Sequence, residues 1–167
     1  YGSNMSSKRI LSRVPAAKFI TVATLSNHQL KFHKVGSKDG TGKCDAFETG
    51  YRDNIVTGVV YNISDSEKIV LDRVEGLHHG YEQKTVTVNT GDNNAIQAFT
   101  YFATDTDPSI QPFHWYKEHV MRGAMENNFP QQYIHSISQI ESIADPRMDR
   151  HKKEMSIYLK PVNKYRI

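Results

Sequence analysis

Cysteine is nearly absent: Cys44 is the single one in 167 residues. No disulfide can form within the chain, so the fold must be held by its core, and a reducing, cytoplasmic setting is the simplest expectation. Nothing beside Cys44 in the sequence would lower a thiol pKa, which argues against a catalytic cysteine. No apolar run approaches the roughly 18 residues that span a bilayer, so no membrane helix is expected. Strong charge of one sign is missing as well. The net charge is +3, too small and too dispersed for a nucleic-acid stripe. The exception is a basic C-terminal group, Arg147, Arg150, Lys152, Lys153, Lys160, Lys164 and Arg166. It reads as a solvated face or tail, the rival being a contact with nucleic acid or another anionic surface. Metal-ligand spacing is missing: the eight histidines form no HxxxH, and neighbours such as His78 and His79 tend to point apart. No Gly-x-Ser-x-Gly elbow is present, which argues against a covalent serine mechanism. No internal repeat is visible.

What is present fits one folded domain: 38% apolar and 23% charged residues are enough for a sizeable core. Ser3 or Asn4 is placed to cap a helix running through Met5, Ile10 and Leu11 toward Val14, stopped by Pro15. Residues 19–25 and 30–35, split by Ser26-Asn27-His28, read as a β-hairpin. Residues 36–42 form a polar, glycine-containing loop, and a short strand is plausible over 44–48. The β-branched run 55–63 is the best candidate for a central strand. Gly58 within it marks a bulge or a close backbone approach. Ser64 opens a helix through Ile69, Val70, Leu71 and Val74 that ends at Glu75-Gly76. Residues 85–88 and 96–102 make a second hairpin around the turn 89–94. Two helices follow, 115–127 and 130–143. From Asp145 a polar tail carries one strand-like patch, 155–159. The order predicts an α+β fold, a mainly antiparallel curled sheet or small β-barrel flanked by helices. The domain spans 1–144, with 145–167 as a basic C-terminal extension.

Two short motifs carry the chemistry. Tyr1-Gly2-Ser3-Asn4-Met5 joins small, turn-competent residues to a helix start, which aims backbone N–H groups at one point and suits an anion. Leu71-Asp72-Arg73-Val74-Glu75-Gly76 places a carboxylate directly before a helix-ending glycine. In this order and separation the pair resembles the gamma-glutamylcyclotransferase family. So do Val56-Thr57-Gly58-Val59-Val60-Tyr61, Tyr81, Tyr116, and the segment Gly123-Ala124-Met125-Glu126-Asn127-Asn128-Phe129-Pro130. The matching segments run from Tyr1 to about Ile143.

The resemblance implies release of an amine or amino acid from a gamma-glutamyl donor, leaving 5-oxoproline, with no metal and no cofactor. It makes Glu75 the general acid/base and Tyr1, Gly2, Ser3, Asn4 and Tyr116 the substrate-binding residues. It also implies a buried strand leading into Tyr1, upstream of the residues read here. The chemistry is consistent with one carboxylate, because ring closure is intramolecular and the protein has mainly to hold the donor folded. To work near neutral pH, Glu75 is expected to lie buried beside apolar groups. Asp72 reads as structural, and His78 and His79 as loop residues. Ser3 reads mainly as a helix cap and Tyr116 as packing with a binding hydroxyl. The partner is a small gamma-glutamyl molecule. Nucleic acid is unlikely on composition, and a homodimer stays open. The alternatives are a cyclotransferase for a gamma-glutamylamine or a biosynthetic gamma-glutamyl intermediate, and a binding module of the same fold without turnover. The last has no need of an acid at position 75.

Overall fold

The computed structural model describes residues 1–91 and 94–159. Asp92 and Asn93 of the second hairpin turn, and Lys160, Lys164 and Arg166 of the basic group, lie outside the described residues. The chain opens with a 3-10 turn, Gly2–Met5, and helix α1, Ser7–Arg13. Strands β1 (Lys18–Ser26), β2 (His28–Val35), β3 (Gly42–Glu48) and β4 (Ile55–Asn62) follow. Helix α2 (Asp65–Glu75) leads to β5 (Tyr81–Thr90) and β6 (Ala95–Ala103). Helices α3 (His114–Glu126), α4 (Gln131–Ser138) and α5 (Met148–Met155) complete the order, with a last 3-10 turn at Ser156–Tyr158. The strands form a four-stranded sheet, β4-β1-β5-β6, and a two-stranded one, β2-β3, with antiparallel pairing throughout. This is the expected α+β class with a curled antiparallel sheet. No helix among the described residues is long and apolar enough to cross a membrane.

The second hairpin forms as read, with Tyr81 opposite Ala103 and Asn89 opposite Ala95. The first does not. β1 pairs with β4 and β5, whereas β2 pairs with β3. A two-residue primed turn is what returns a chain onto its own strand, and only Asn27, at φ 64°, separates β1 from β2. Its carbonyl accepts from the Thr49 amide at 2.7 Å, and the His28 amide donates to the Asn54 carbonyl at 3.0 Å, so the chain turns from one sheet into the other. β4 ends the four-stranded sheet rather than lying at its centre. Its apolar composition reflects burial of Val56 and Thr57, and the Thr57 amide donates to the Tyr133 hydroxyl at 3.2 Å, which occupies a donor on that edge.

Two helix readings and one strand reading are also corrected. The first helix is broken into the 3-10 turn and α1, with Ser6, not Ser3 or Asn4, at the N-cap position of α1. α4 stops at Ser138, where Lys117 Nζ donates to the carbonyls of Ser138 at 3.1 Å and Ile140 at 2.7 Å. The patch 155–159 is not a strand. Met155 ends α5, and Ser156–Tyr158 form the 3-10 turn.

The region after Asp145 folds back onto the domain. Asp145 is buried, accepts from Trp115 Nε1 at 2.8 Å and is gripped by Arg150 through Nε and Nη2. Those bonds, Arg150's foremost, hold its carboxyl well below the usual range. Part of the basic group thus serves internal pairing.

Two parts of the core position the site. Met5, Phe32, Trp115, Val120 and Phe129 pack together beneath the first turn. Ile10 and Val14 pack with Leu71, Tyr81 and Tyr101, so the end of α1 is pressed against α2. That contact brings Arg13 to Glu75.

Candidate active site

The first turn is seated by the segment that begins at Gly123. A Cβ at Gly123 would lie 2.6 Å from both Met5 Cβ and the Ser6 nitrogen, so only glycine lets α3 approach this closely. Asn127 Nδ2 donates to the Met5 carbonyl at 3.0 Å, and the Ser7 amide donates to Glu126 Oε2 at 3.1 Å. The Tyr61 hydroxyl adds a bond to the Met5 carbonyl at 3.2 Å. From the other side, Gly58 permits the close backbone approach expected of it: a Cβ there would stand 3.0 Å from the Tyr1 nitrogen. Gly2 has φ +72°, and a Cβ on it would come within 3.1 Å of Cys44 Cβ. Left-handed backbone and lack of space both call for glycine at position 2.

Glu75 stands at the end of α2. Ser64 caps that helix by accepting from the Glu67 amide at 3.4 Å, and Gly76, at φ 76°, closes it in the left-handed conformation. Both boundaries follow the sequence reading. The Asn4 amide nitrogen donates to Glu75 Oε1 at 2.8 Å. Arg13 Nη1 donates to the same oxygen at 2.8 Å and to Asn4 Oδ1 at 2.7 Å. Three side chains from three elements thus close a ring of hydrogen bonds. The side chains of Arg13 and Glu75 are 20% and 19% exposed, open enough to be reached and shielded enough for charge to matter. The apolar surroundings expected for Glu75 are replaced by this ion pair. Burial draws the Arg13 guanidinium below its ordinary value, while the charge of Glu75 acts in the opposite direction.

The remaining candidates are spread around the turn. Tyr1 is half-buried, and its hydroxyl donates to the Tyr101 carbonyl at 2.7 Å. Gly2 and Ser3 are buried. Ser3 accepts from the Ser6 amide through its carbonyl at 3.4 Å. Tyr116 is buried, and its hydroxyl accepts from the Cys44 amide at 3.0 Å, one layer behind Gly2. No described contact joins Tyr116 to Asn4 or Glu75. Burial pushes the Cys44 thiol up to about 12, consistent with a packing role. Asp72 accepts from Lys68 and from the Tyr101 hydroxyl, and His78 is an exposed loop residue bonded to Glu82. Among the described residues no group of three His, Cys, Asp or Glu side chains is placed to hold a metal ion.

An apolar groove of about 660 Å³ also opens between β4 and β6, bordered by Tyr1 and Asn4 and lined by residues such as Val56, Val60, Ile96 and Phe99. Glu75 is not in its wall. An aliphatic trough offers little to a charged group, whereas the Asn4–Arg13–Glu75 corner gathers an amide, a guanidinium and a carboxylate. The sequence reading missed Arg13. A basic residue in the last turn of a helix has an ordinary electrostatic explanation, so no local signal singled it out.

The chain as a whole is similar to known proteins. The AIG2-like family model matches residues 55–137. A bovine protein named gamma-glutamylcyclotransferase is 34% identical over 146 residues, covering 84% of this chain and 76% of the relative. The human protein of that name is 32% identical over 144 residues, with the same coverage. A solved structure named gamma-glutamyl cyclotransferase superposes with a TM-score of 0.79 at 29% identity, covering 92% of this chain and 95% of the other.

Proposed function

The chain belongs to the gamma-glutamylcyclotransferase family, and from that premise we propose that it cyclises the glutamyl part of a small gamma-glutamyl donor to 5-oxoproline, with Glu75 moving the proton. The observation that carries the reading is the 2.8 Å bond from Asn4 to Glu75. It joins the backbone turn and the carboxylate, two motifs far apart in the chain.

The donor's α-ammonium first gives one proton to solvent. The amine nitrogen then attacks the γ-carbonyl carbon, closing a five-membered ring as its second proton passes to Glu75. The carbonyl oxygen becomes negative, and the first amides of the Gly2–Met5 turn, which have no acceptor within the turn, stabilise it. Glu75 returns its proton to the leaving nitrogen as the carbon–nitrogen bond breaks. The products are 5-oxoproline and a free amine, and the carboxylate is restored. No covalent enzyme intermediate is needed, because the nucleophile is already in the substrate. Holding the chain folded contributes up to roughly 7–11 kcal/mol. Tyr1 borders the donor, while Tyr116 acts from behind by holding β3 against Gly2. The buried, unpaired Cys44 suits a reducing, cytoplasmic setting.

The test is 5-oxoproline release from a panel of gamma-glutamyl amino acids, gamma-glutamylamines and larger gamma-glutamyl donors, run beside Glu75→Gln. Turnover by the parent and its loss in a folded variant support both activity and mechanism. Equal turnover in the variant would keep the activity and remove Glu75 from it. A folded parent inert on every donor would favour a binding module.

A further inference from the structure

We propose that Arg13 and Glu75 together read the α-amino-acid head of the donor, its carboxylate on Arg13 and its ammonium on Glu75, so that Arg13 is a specificity-determining residue. The inference rests on the function proposed above and names the part of the donor that this corner selects.

The argument is one of unused valence. Among the described residues Arg13 spends only Nη1, on Asn4 and Glu75. Among the described residues its Nε and Nη2 make no hydrogen bond, yet neither is a buried orphan, so a donor edge of the guanidinium faces accessible space. Glu75 likewise spends only Oε1, and Oε2 is neither bonded among the described residues nor buried without a partner. An open guanidinium edge and an open carboxylate oxygen therefore stand side by side, bridged by Asn4.

A guanidinium edge matches a carboxylate in two parallel bonds. A carboxylate oxygen accepts from an ammonium. The two complementary groups of an amino-acid zwitterion sit on one carbon, and the partly exposed pair presents opposite charges side by side. A substrate carboxylate on Arg13 also competes with Glu75 for the guanidinium, which frees Glu75 for the proton it has to take. A structural salt bridge would behave differently. Arg9, four residues earlier on the same helix, also bonds through Nη1, to His119 and Glu154, but its Nε is buried without a partner, so no open edge is left for a ligand.

Donors with a free α-carboxylate are thus accepted, and those with an amidated or esterified one are refused. A gamma-glutamyl linkage whose glutamate α-carboxyl is held in a peptide bond falls in the refused class.

The experiment uses the full-length protein. Release of 5-oxoproline is measured from one gamma-glutamyl donor and from its α-carboxamide, in the parent, Arg13→Gln and Arg13→Lys. The parent is expected to favour the free carboxylate by about 10²-fold in kcat/KM. Arg13→Gln should bring the two donors to within a few-fold of each other, and Arg13→Lys should retain an intermediate preference. A parent without preference, or an Arg13→Gln enzyme that is slower on both donors with its preference intact, would overturn the proposal while leaving the activity standing. Binding of 5-oxoproline against its carboxamide, read by calorimetry, needs no turnover. A tenfold or greater preference that disappears in Arg13→Gln would sustain the site even if no donor were turned over. Absence of that preference, with no turnover, would remove both readings. If Arg13→Gln does not fold, the parent's two-donor ratio and Arg13→Lys decide the matter.

Discussion

Helix α1 carries two arginines four residues apart, and each pairs with a glutamate from elsewhere in the chain. Their surroundings separate a buried clamp from a partly exposed pair. Arg9 Nη1 donates to Glu154 Oε2 at 2.6 Å and also meets His119 Nε2 at 2.9 Å. His119 is fully buried, and its Nδ1 lies 2.7 Å from the Tyr158 hydroxyl, which in turn reaches Ser6 Oγ at 3.3 Å. With His119 neutral and accepting from Arg9 through Nε2, its Nδ1–H donates to Tyr158. Burial drives the His119 imidazole down to about 4. Glu154 is also buried in part, which acts against its charge, but the charge and hydrogen bond of Arg9 draw its carboxyl below the usual range. This network ties α5 and the last 3-10 turn to α1. The Arg13–Glu75 pair has the same chemistry, and among the described residues only Asn4 joins it. Both pairs leave hydrogen-bonding atoms unused, but Arg9 Nε is buried without a partner, whereas no unused atom of Arg13 or Glu75 is buried.

The largest expected effect falls on the open pair. Glu75→Gln should lower 5-oxoproline release by about 10²–10⁴-fold while the thermal midpoint stays near that of the parent. Kinetics and a melting curve on one preparation check both halves. In the closed pair the pattern should invert. Glu154→Gln leaves the buried Arg9 charge without its counterion and should cost about 1–3 kcal/mol, discounted from the fully buried case because Glu154 is partly exposed. Chemical denaturation reads this, and kcat should change by no more than a few-fold below the melting range. A variant equally damaged in both properties would erase the distinction between the pairs.

Gly123→Ala tests how tightly the first turn is seated. The added methyl meets Met5 and the Ser6 nitrogen, and the displacement should cost about 1–2 kcal/mol. Activity should fall more than stability, because Asn4 moves with the turn.

Acid should act on the closed network first. A histidine held at about 4 in the folded state binds protons more readily once unfolded. Its contribution is therefore complete above about pH 6.5 and declines as the pH falls toward 4. Glu154, held at about 2, adds to the loss as the pH falls below the ordinary carboxylate range. A melting series from pH 7 to 2.5 should show the midpoint dropping by several degrees, and Glu154→Gln should flatten the part below the ordinary carboxylate value. The smallest change is expected from Tyr158→Phe, which removes the acceptor of His119 Nδ1 and should cost about 0.5–1.5 kcal/mol, with the kinetics of the Glu75 corner unaltered.

Much of the site was legible in the residues, for local reasons. The α2 boundaries follow from Ser64 and Gly76, whose capping chemistry acts within a few residues, so the position of Glu75 at a helix end could be read directly. Gly58 as a close approach and the β5–β6 hairpin follow from equally local signals. Asn4 was in the right motif, but its task of holding Glu75 was not visible. Arg13 was missed because its meaning depends on a partner 62 positions away. Arg9, His119 and Glu154 were passed over for the same reason, and the region after Asp145 looked like a tail because its apolar and ionic partners lie on α1 and α3.

The sequence by itself determined the fold class, the ends of α2, the glycines that admit close backbone contact, and the carboxylate that the family resemblance points to. These depend on backbone conformation, capping and short motifs, which are properties of neighbours in the chain. Only the tertiary structure decided that β1 and β2 part into different sheets, that β4 lies at an edge, and that one arginine of α1 is closed in while the other stays partly exposed beside Glu75. Pairing and burial are set by which surfaces meet across the core. Two arginines spaced identically on one helix acquire different roles from what packs against each end of it.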